Sequence, residues 1–503
     1  MYIITSQQSR ELDKISGNEF GISGETLMGN AGEKIADTVL QNYQNLDKKN
    51  ILIVCGKGNN GGDGFAAAAA LAEFSPQIYH IYSPKKFKND TLHYYEECIE
   101  KGISILFQED PSELKKFDLI IDAMLGVGIS GKVREPVAGW IDWLNRQSAE
   151  IVAVDIPSGI NADTGFFSGT AVRANMTISM GFEKTGHHFF PGKDSSEEVI
   201  VADIGFPKID NPLSGIQWRL FDRELPEKIL IAPPKDSYKH GQGKVLVIAG
   251  SRGMTGASIL AGKASLRSGA GLVKLCAPNS LSPIVESLFI EGITLPCEDN
   301  GKGYFRERNF EEIEKELYWC DSLVIGPGLG SEADTKYFIL KVIESCKKPM
   351  IIDADALRFI NGHISLLPDN CVLTPHLAEF SYMVNHPVYY VRENFIRVIE
   401  EFMNDFSGTL VIKTTPVSVV FNDIGSINIS GNQGLASAGT GDVLAGCIGG
   451  LIAQNIAPPD ASKLGVYIHG KAADTLVSET GYRGLTATDV LNNIHKVIKE
   501  YEL

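Results

Sequence analysis

The stretch ILIVCGKGNNGGDGFAAAAALAEF, residues 51–74, decides the fold class. A continuous apolar run, NILIVCG (50–56), reads as a buried strand. Gly56, Gly58 and Gly61 follow at the spacing G-x-G-x-x-G, and the segment 63–74 reads as a helix. Strand, glycine-rich turn and helix together form the unit of a parallel α/β sheet covered on both faces. Outward from this unit, PQIYHIYS (76–83), FDLIIDAM (117–124), EIVAVDIP (150–157) and ANMTISMG (174–181) read as further buried strands.

The alternation stops at residues 206–244, which contain Pro207, Pro212, Pro226, Pro233 and Pro234. A domain boundary is expected at about 210–230. A second alternation follows. KVLVIAG (244–250), GLVKLCAP (271–278), DSLVIGPG (321–328), PMIIDADA (349–356), CVLTP (371–375), TLVIKT (409–414) and PVSVVF (416–421) are strand candidates. Segments 258–270 and 440–454 read as helices. The expectation is α/β throughout: a Rossmann-like three-layer domain over 1–215 and a second α/β domain over 225–503. The tail from Ala472 reads as helical capping structure.

A chain of 503 residues is too long for one core, which agrees with two domains. No apolar run reaches the length of a membrane span, and the start MYIITSQQSRELDKIS lacks a basic segment followed by an apolar one. A cytoplasmic protein is expected. The net charge of −16 disfavours nucleic acid and membrane surfaces as partners. The eight cysteines include no C-x-x-C pair, so reduced buried thiols are expected. His187 and His188 are adjacent in sequence and so point different ways, which argues against a metal pair.

The first glycine loop admits two plain readings: a dinucleotide cradle, or a tight strand–helix turn. An ordinary dehydrogenase has an acid closing the second strand to hold the ribose hydroxyls. Here that strand ends HIYSPKK, with no acid. The loop instead carries Asn59, Asn60 and Asp63. Two later strand ends carry Asp122, then Asp155 and Ser158. In a parallel sheet these ends converge. Asn60, Asp122 and Ser158 then offer hard oxygens to a cation such as K⁺ or Mg²⁺, and Asp155 is left for proton transfer. Each residue taken singly is a cap or a turn.

GNNGGDG, DAMLGVGISG and VAVDIPSGINADTG together resemble the NAD(P)H-hydrate epimerase domain, over roughly residues 1–210. The resemblance implies Asp155 as catalytic acid/base, and Asn60, Asp122 and Ser158 as K⁺ ligands. It implies that Asn59, Asn60, Gly61, Gly62 and Asp63 hold the hydrated nucleotide. Gly126, Val127, Gly128, Ile129, Ser130, Gly131 and Lys132 are implied to do the same.

The second loop, SAGTGDVLAGCIGG (437–450), sets Asp442 at the start of an apolar helix behind Gly439 and Gly441. Amides at a helix N-terminus stabilise anionic charge, and a carboxylate beside them can deprotonate an attacking hydroxyl. The plain alternative makes Asp442 a helix cap. No G-x-x-x-x-G-K-[ST] loop occurs. The arrangement resembles the ribokinase-like superfamily. AGSRGMTGASILAGKASLRSGAGLVKL, VIGPGLG, IIDADAL, LTPHLAEF and NQGLASAGTGDVLAG resemble the ADP-dependent NAD(P)H-hydrate dehydratase, over roughly 230–500. That implies Asp442 as catalytic base and Gly328 and His376 as substrate contacts. Gly441 and the strand end at Lys413 are implied to hold the adenine nucleotide. The family usually has glycine directly after this lysine. Here Thr414, Thr415 and Pro416 follow, which removes one amide and narrows the backbone's freedom.

The combined resemblance implies repair of NADH and NADPH hydrates. R and S epimers would be interconverted by the first domain, and the S form dehydrated by the second with ADP as phosphoryl donor. K⁺ is expected in the first domain, Mg²⁺ with the ADP, and a homo-oligomer from the family. The rivals are a ribokinase-like small-molecule kinase and a nucleotide-binding regulatory protein without catalysis.

Overall fold

The computed structural model describes residues 2–129, 131–209 and 213–502. The chain divides at Trp218/Arg219 into two units, and the short segment Arg392–Ile396 groups with the first.

In the first unit the helices α1 (Ser6–Phe20) and α2 (Gly24–Asn42) precede β1 (Ile51–Cys55) and α3 (Asn59–Ala70). The strands β2 (Gln77–His80), β3 (Ser104–Phe107), β4 (Leu119–Ala123), β5 (Glu150–Val154), β6 (Met176–Met180) and β7 (Glu198–Ala202) follow. They form a parallel sheet in the order β3-β2-β1-β4-β5-β6-β7. The strand order reverses direction between β1 and β4, which is where such sheets bind ligands. Along β1 the side chains alternate. Ile51, Ile53 and Cys55 pack with Leu27, Ile35 and Phe65 from α2 and α3, while Leu52 and Val54 pack with Trp140, Ile141 and Leu144 on the other face. The result is three layers, α/β/α.

The first glycine segment differs from its sequence reading. The helix begins at Asn59, so Asn59 to Gly62 form its first turn and not an open loop. Gly56 explains how: a Cβ there would lie 1.8 Å from the Met124 carbonyl, so only glycine lets β1 turn this close to the end of β4.

The second unit is built on β8 (Lys244–Ile248), α4 (Thr255–Arg267), β9 (Leu272–Pro278), β10 (Ile293–Cys297) and β11 (Ser322–Ile325). Next come β12 (Met350–Ile352), β13 (Cys371–Leu373), β14 (Thr409–Ile412), β15 (Ser418–Phe421) and β16 (Ile424–Ile427). The order is β10-β9-β8-β11-β12-β13-β14-β15-β16, parallel as far as β14 and antiparallel beyond it. Helices α5 (Thr440–Ala453), α6 (Pro458–Asp474) and α7 (Ala487–Lys499) complete the chain. Helix α5 is buried nearly throughout, between α4 and the sheet. Three missing side chains allow this. A Cβ on Gly446 would stand 2.1 Å from the Ala261 carbonyl, one on Gly449 2.3 Å from Val324, and one on Gly450 2.2 Å from Ser268.

All eight cysteines are free and buried, as expected. Among the described residues no helix is long and apolar enough to cross a membrane.

Candidate active sites

In the first unit the ends of β1, β4 and β5 meet at the reversal of strand order. Asp122, one residue from the end of β4, pairs with Val54 on one side and Ala153 on the other. Its Oδ1 accepts the Ser158 hydroxyl at 2.7 Å and the Met124 N–H at 3.2 Å, and its Oδ2 accepts the Ser158 N–H at 2.8 Å. Asn60 Nδ2 donates to the Leu125 carbonyl at 3.0 Å, and Ser158 Oγ accepts from the Leu125 N–H at 2.9 Å. Asp122, Ser158 and the Leu125 carbonyl thus form one group of oxygens, which Asn60 joins through its amide nitrogen. Burial pushes the Asp122 carboxyl up to about 6, against the hydrogen bonds from Ser158 and Met124. A carboxylate, a hydroxyl, an amide and a carbonyl are the hard donors that K⁺ takes, so the residues fit that ion.

Asp155 follows β5 with φ 66°, a left-handed conformation that is uncommon outside glycine and clusters at functional sites. Its N–H donates to the Ile178 carbonyl at 2.7 Å, and its Oδ1 accepts the Met180 N–H at 3.1 Å. The ammonium of Lys184 donates to the same Oδ1. Lys184 is 1% exposed and also donates to Ser179 Oγ at 3.1 Å and to the Met180 and Phe182 carbonyls at 3.0 Å. His187 Nδ1 accepts the Lys184 N–H at 3.1 Å, so its Nε2 donates to the Asp155 carbonyl, also at 3.1 Å. Burial and the nearby Lys184 hold this imidazole neutral.

A cavity of about 690 Å³ opens over these groups, lined by Asp155, Asn59, Asn60, Asp63 and Gly126 to Ile129. Asp13 of α1 lines it as well. Burial raises the Asp63 carboxyl well above its ordinary range, and Asp155 and Asp13 raise it further. Asp13 is raised by burial and then by Asp155.

In the second unit Asp442 lies in the first turn of α5, behind Gly439 with φ 88°. Asp353, directly after β12, is 1% exposed. Its Oδ1 accepts Lys413 Nζ at 2.7 Å and Thr374 Oγ1 at 2.7 Å. A Cβ on Gly441 would stand 3.4 Å from Lys413 Nζ and 4.0 Å from Asp353 Oδ2, so this ion pair lies against the start of α5. The Asp442 carboxyl is pushed up to about 7, by burial first and then by Asp353, with Lys413 opposing. Burial works against the charge of Lys413, but Asp353 and Glu379 hold its pKa above the ordinary value. The site therefore sets a carboxyl poised near neutral pH beside a fixed cation at a helix N-terminus.

The profile of the family described as YjeF-related protein N-terminus matches residues 24–186, and that of NAD(P)H-hydrate dehydratase matches residues 245–496. The bifunctional NAD(P)H-hydrate repair enzyme Nnr of Dictyoglomus turgidum is 32% identical, over 99% of this chain and 99% of its own. That of Moorella thermoacetica is 30% identical, over 100% of this chain and 97% of its own. The chain belongs to the bifunctional NAD(P)H-hydrate repair enzymes. Among solved structures, a ribokinase-like superfamily protein from Enterococcus faecalis V583 superposes with TM-score 0.51 at 25% identity, covering 58% of this chain and 99% of its own.

Among the residues singled out for the repair chemistry, the cavity brings together Asn59, Asn60, Asp63, Gly126, Val127, Gly128, Ile129 and Asp155. Gly61 and Gly62 stand outside its lining: a Cβ on Gly61 would lie 2.2 Å from the Gly56 carbonyl, and one on Gly62 2.5 Å from Met28 Sδ. Gly131 and Lys132 are exposed and away from the lining, and Ser130 lies outside the described residues. Gly328 has φ 62° and packs against Met254 and Ala257. His376 is exposed and caps the helix Leu377–Met383, its Nδ1 accepting the Ala378 and Glu379 N–H groups at 3.1 Å. Its backbone bridges to Lys413. Thr414 turns its hydroxyl to the Pro416 carbonyl at 2.7 Å, and Thr415 is exposed. Lys184, Asp13 and Asp353 carry no local motif of their own. Only the position of Asp353 in IIDADAL, directly after a strand, signals it.

Proposed function

We propose that residues 1–215 interconvert the R and S hydrates of NADH and NADPH, and that residues 225–503 return the S hydrate to NAD(P)H with ADP. The observation that carries this reading is likeness to bifunctional relatives along the whole chain. In the epimerase half, Asp155 moves the proton at the hydrated ring while Lys184 and the Met180 N–H hold its carboxylate. Asn60, Asp122 and Ser158 would hold K⁺, which supplies a fixed positive charge beside the dinucleotide. In the dehydratase half, Asp442 takes the proton of the ring hydroxyl as that oxygen attacks the β-phosphorus of ADP. AMP leaves; then phosphate leaves carbon 6, carbon 5 loses a proton, and the ring double bond returns. Lys413 and the first-turn amides of α5 stabilise the charge on the transferring group. Mg²⁺ would arrive with ADP, since phosphoryl transfer needs the phosphate charge neutralised. The proposed location is the cytoplasm.

The test is to give the enzyme both NADPH hydrate epimers with ADP, Mg²⁺ and K⁺ and follow the dihydronicotinamide absorbance. Recovery of the whole mixture is expected. Recovery of the S fraction alone would remove the epimerase assignment.

A further inference from the structure

Strand β2 neighbours β1, and its end continues as Ile81, Tyr82, Ser83, Pro84, Lys85 and Lys86. The Ile81 N–H donates to the Cys55 carbonyl at 3.3 Å, which ties this segment to the turn after β1. In sheets that bind a dinucleotide at that turn, the end of the next strand outward meets the adenosine ribose. An acid there accepts the free 2′-hydroxyl, and a cation accommodates a 2′-phosphate. This chain has no acid in the segment, and three lysines collect around it. Lys57 Nζ lies 5.1 Å from the centroid of the Tyr82 ring, and Lys86 Nζ lies 5.2 Å from the same centroid. Lys57 and Tyr82 both line the cavity that holds Asp155. Among the described residues, Lys57, Lys85 and Lys86 enter no ion pair. The Tyr82 backbone is fixed by His80, whose Nδ1 bonds the Tyr82 carbonyl at 2.8 Å. Asp90, another acid of the cavity lining, lies against Gly24 of α2.

Two cations without a carboxylate partner lie within cation–π distance of one ring in a chain of net charge −16. Lys57 lines the cavity and Lys86 is exposed outside its lining. A dianionic phosphate beside Tyr82 would give both ammoniums a partner. The distances along the sheet also fit. From β2 to β5, which carries Asp155 at its end, there are three strand spacings, about 14 Å. The N-terminus of α3 lies between them, where a pyrophosphate is stabilised.

We propose that Lys57 and Lys86, gathered on Tyr82, receive the 2′-phosphate of the adenosine ribose, so that the N-terminal unit selects NADPH hydrate over NADH hydrate. This rests on the epimerase reading above. The test uses the full-length enzyme without ADP, so that dehydration is silent, and follows interconversion of the purified R hydrates by chromatography. The wild type should favour R-NADPH hydrate in kcat/KM by about tenfold or more, the scale of one charge-assisted contact. Lys57→Ala/Lys86→Ala should reduce that ratio about tenfold through KM, and Lys86→Arg should keep it. Equal kcat/KM for both hydrates in the wild type, or an equal loss on both in the double variant, would overturn the proposal. Interconversion of neither hydrate by the wild type would instead remove the epimerase reading, and the proposal with it.

Discussion

The Asp442 carboxyl, whose pKa rises from 3.8 to about 7 on folding, makes the fold less stable as pH rises to neutrality. At about 1.36 kcal/mol per pH unit, ionising it in place costs up to about 4 kcal/mol more than in the unfolded chain. The sign follows from proton counts. Between pH 3.8 and about 7 the folded protein keeps a proton that the unfolded chain has released, so stability falls as pH rises through that window and is level above it. Asp442→Asn keeps the shape and removes the titration. Relative to wild type, the variant should therefore gain about 3 kcal/mol more at pH 8.5 than at pH 5.0. Urea titrations at the two pH values measure this, read on the transition that the substitution moves. A gain equal at both pH values, or a loss at pH 8.5, would refute the claim that burial and Asp353 strain this carboxylate. The same variant should dehydrate no S hydrate, which separates the stability gain from function.

Asp155→Asn should recover only the S fraction of a mixed hydrate sample, with the rate on pure S hydrate unchanged; any recovery of the R fraction would count against Asp155 as the proton carrier. Ser158→Ala, or replacement of K⁺ by a large organic cation, should slow epimerisation by tenfold or more and leave dehydration of S hydrate alone, as measured by chromatography and absorbance respectively. Lys184→Met strands a buried carboxylate and should destabilise the first unit by about 3–5 kcal/mol in urea titrations, a loss under 1 kcal/mol being inconsistent with the pairing. A thiol reagent should label less than one cysteine per native chain and all eight in denaturant, because every thiol is buried.

The sheet interiors were legible because parallel strands covered on both faces are written as unbroken apolar runs, as in ILIVC and LIIDA. The strands that escaped notice are β3, β7 and β10 at sheet edges, β16 at the end of the antiparallel hairpin, and the short strands Tyr2–Ile4, Glu183–Lys184 and Gln217–Leu220. SILF, EVIVA and ITLPC are mostly exposed or half-buried and carry no unbroken apolar signal, and IGSI is broken by glycine and serine. The candidate acids Asp155 and Asp442 were legible because strand ends and helix starts leave a local mark: an apolar run then an acid, or an acid behind glycine at a helix start. Lys184 and Asp13 left none. Their part comes from tertiary packing, in which a lysine two residues beyond a turn folds back onto Asp155 and an acid on the amphipathic α1 reaches the cavity. His376 has a legible local role as well. LTPHLAEF advertises a histidine, and the local geometry it encodes is a helix cap shared with Glu379.

Helix α5 carries Asp442 on a surface defined by atoms that are not there. Gly446, Gly449 and Gly450 let backbone meet backbone and sheet, so the axial position of the helix has almost no tolerance. A single methyl group at any of them must shift the helix or its neighbours, and a shift of the helix carries the Asp442 carboxyl with it. An alanine at any of the three is therefore an overpacking change at the foot of the helix that carries Asp442, felt in stability and in the placing of that carboxyl together.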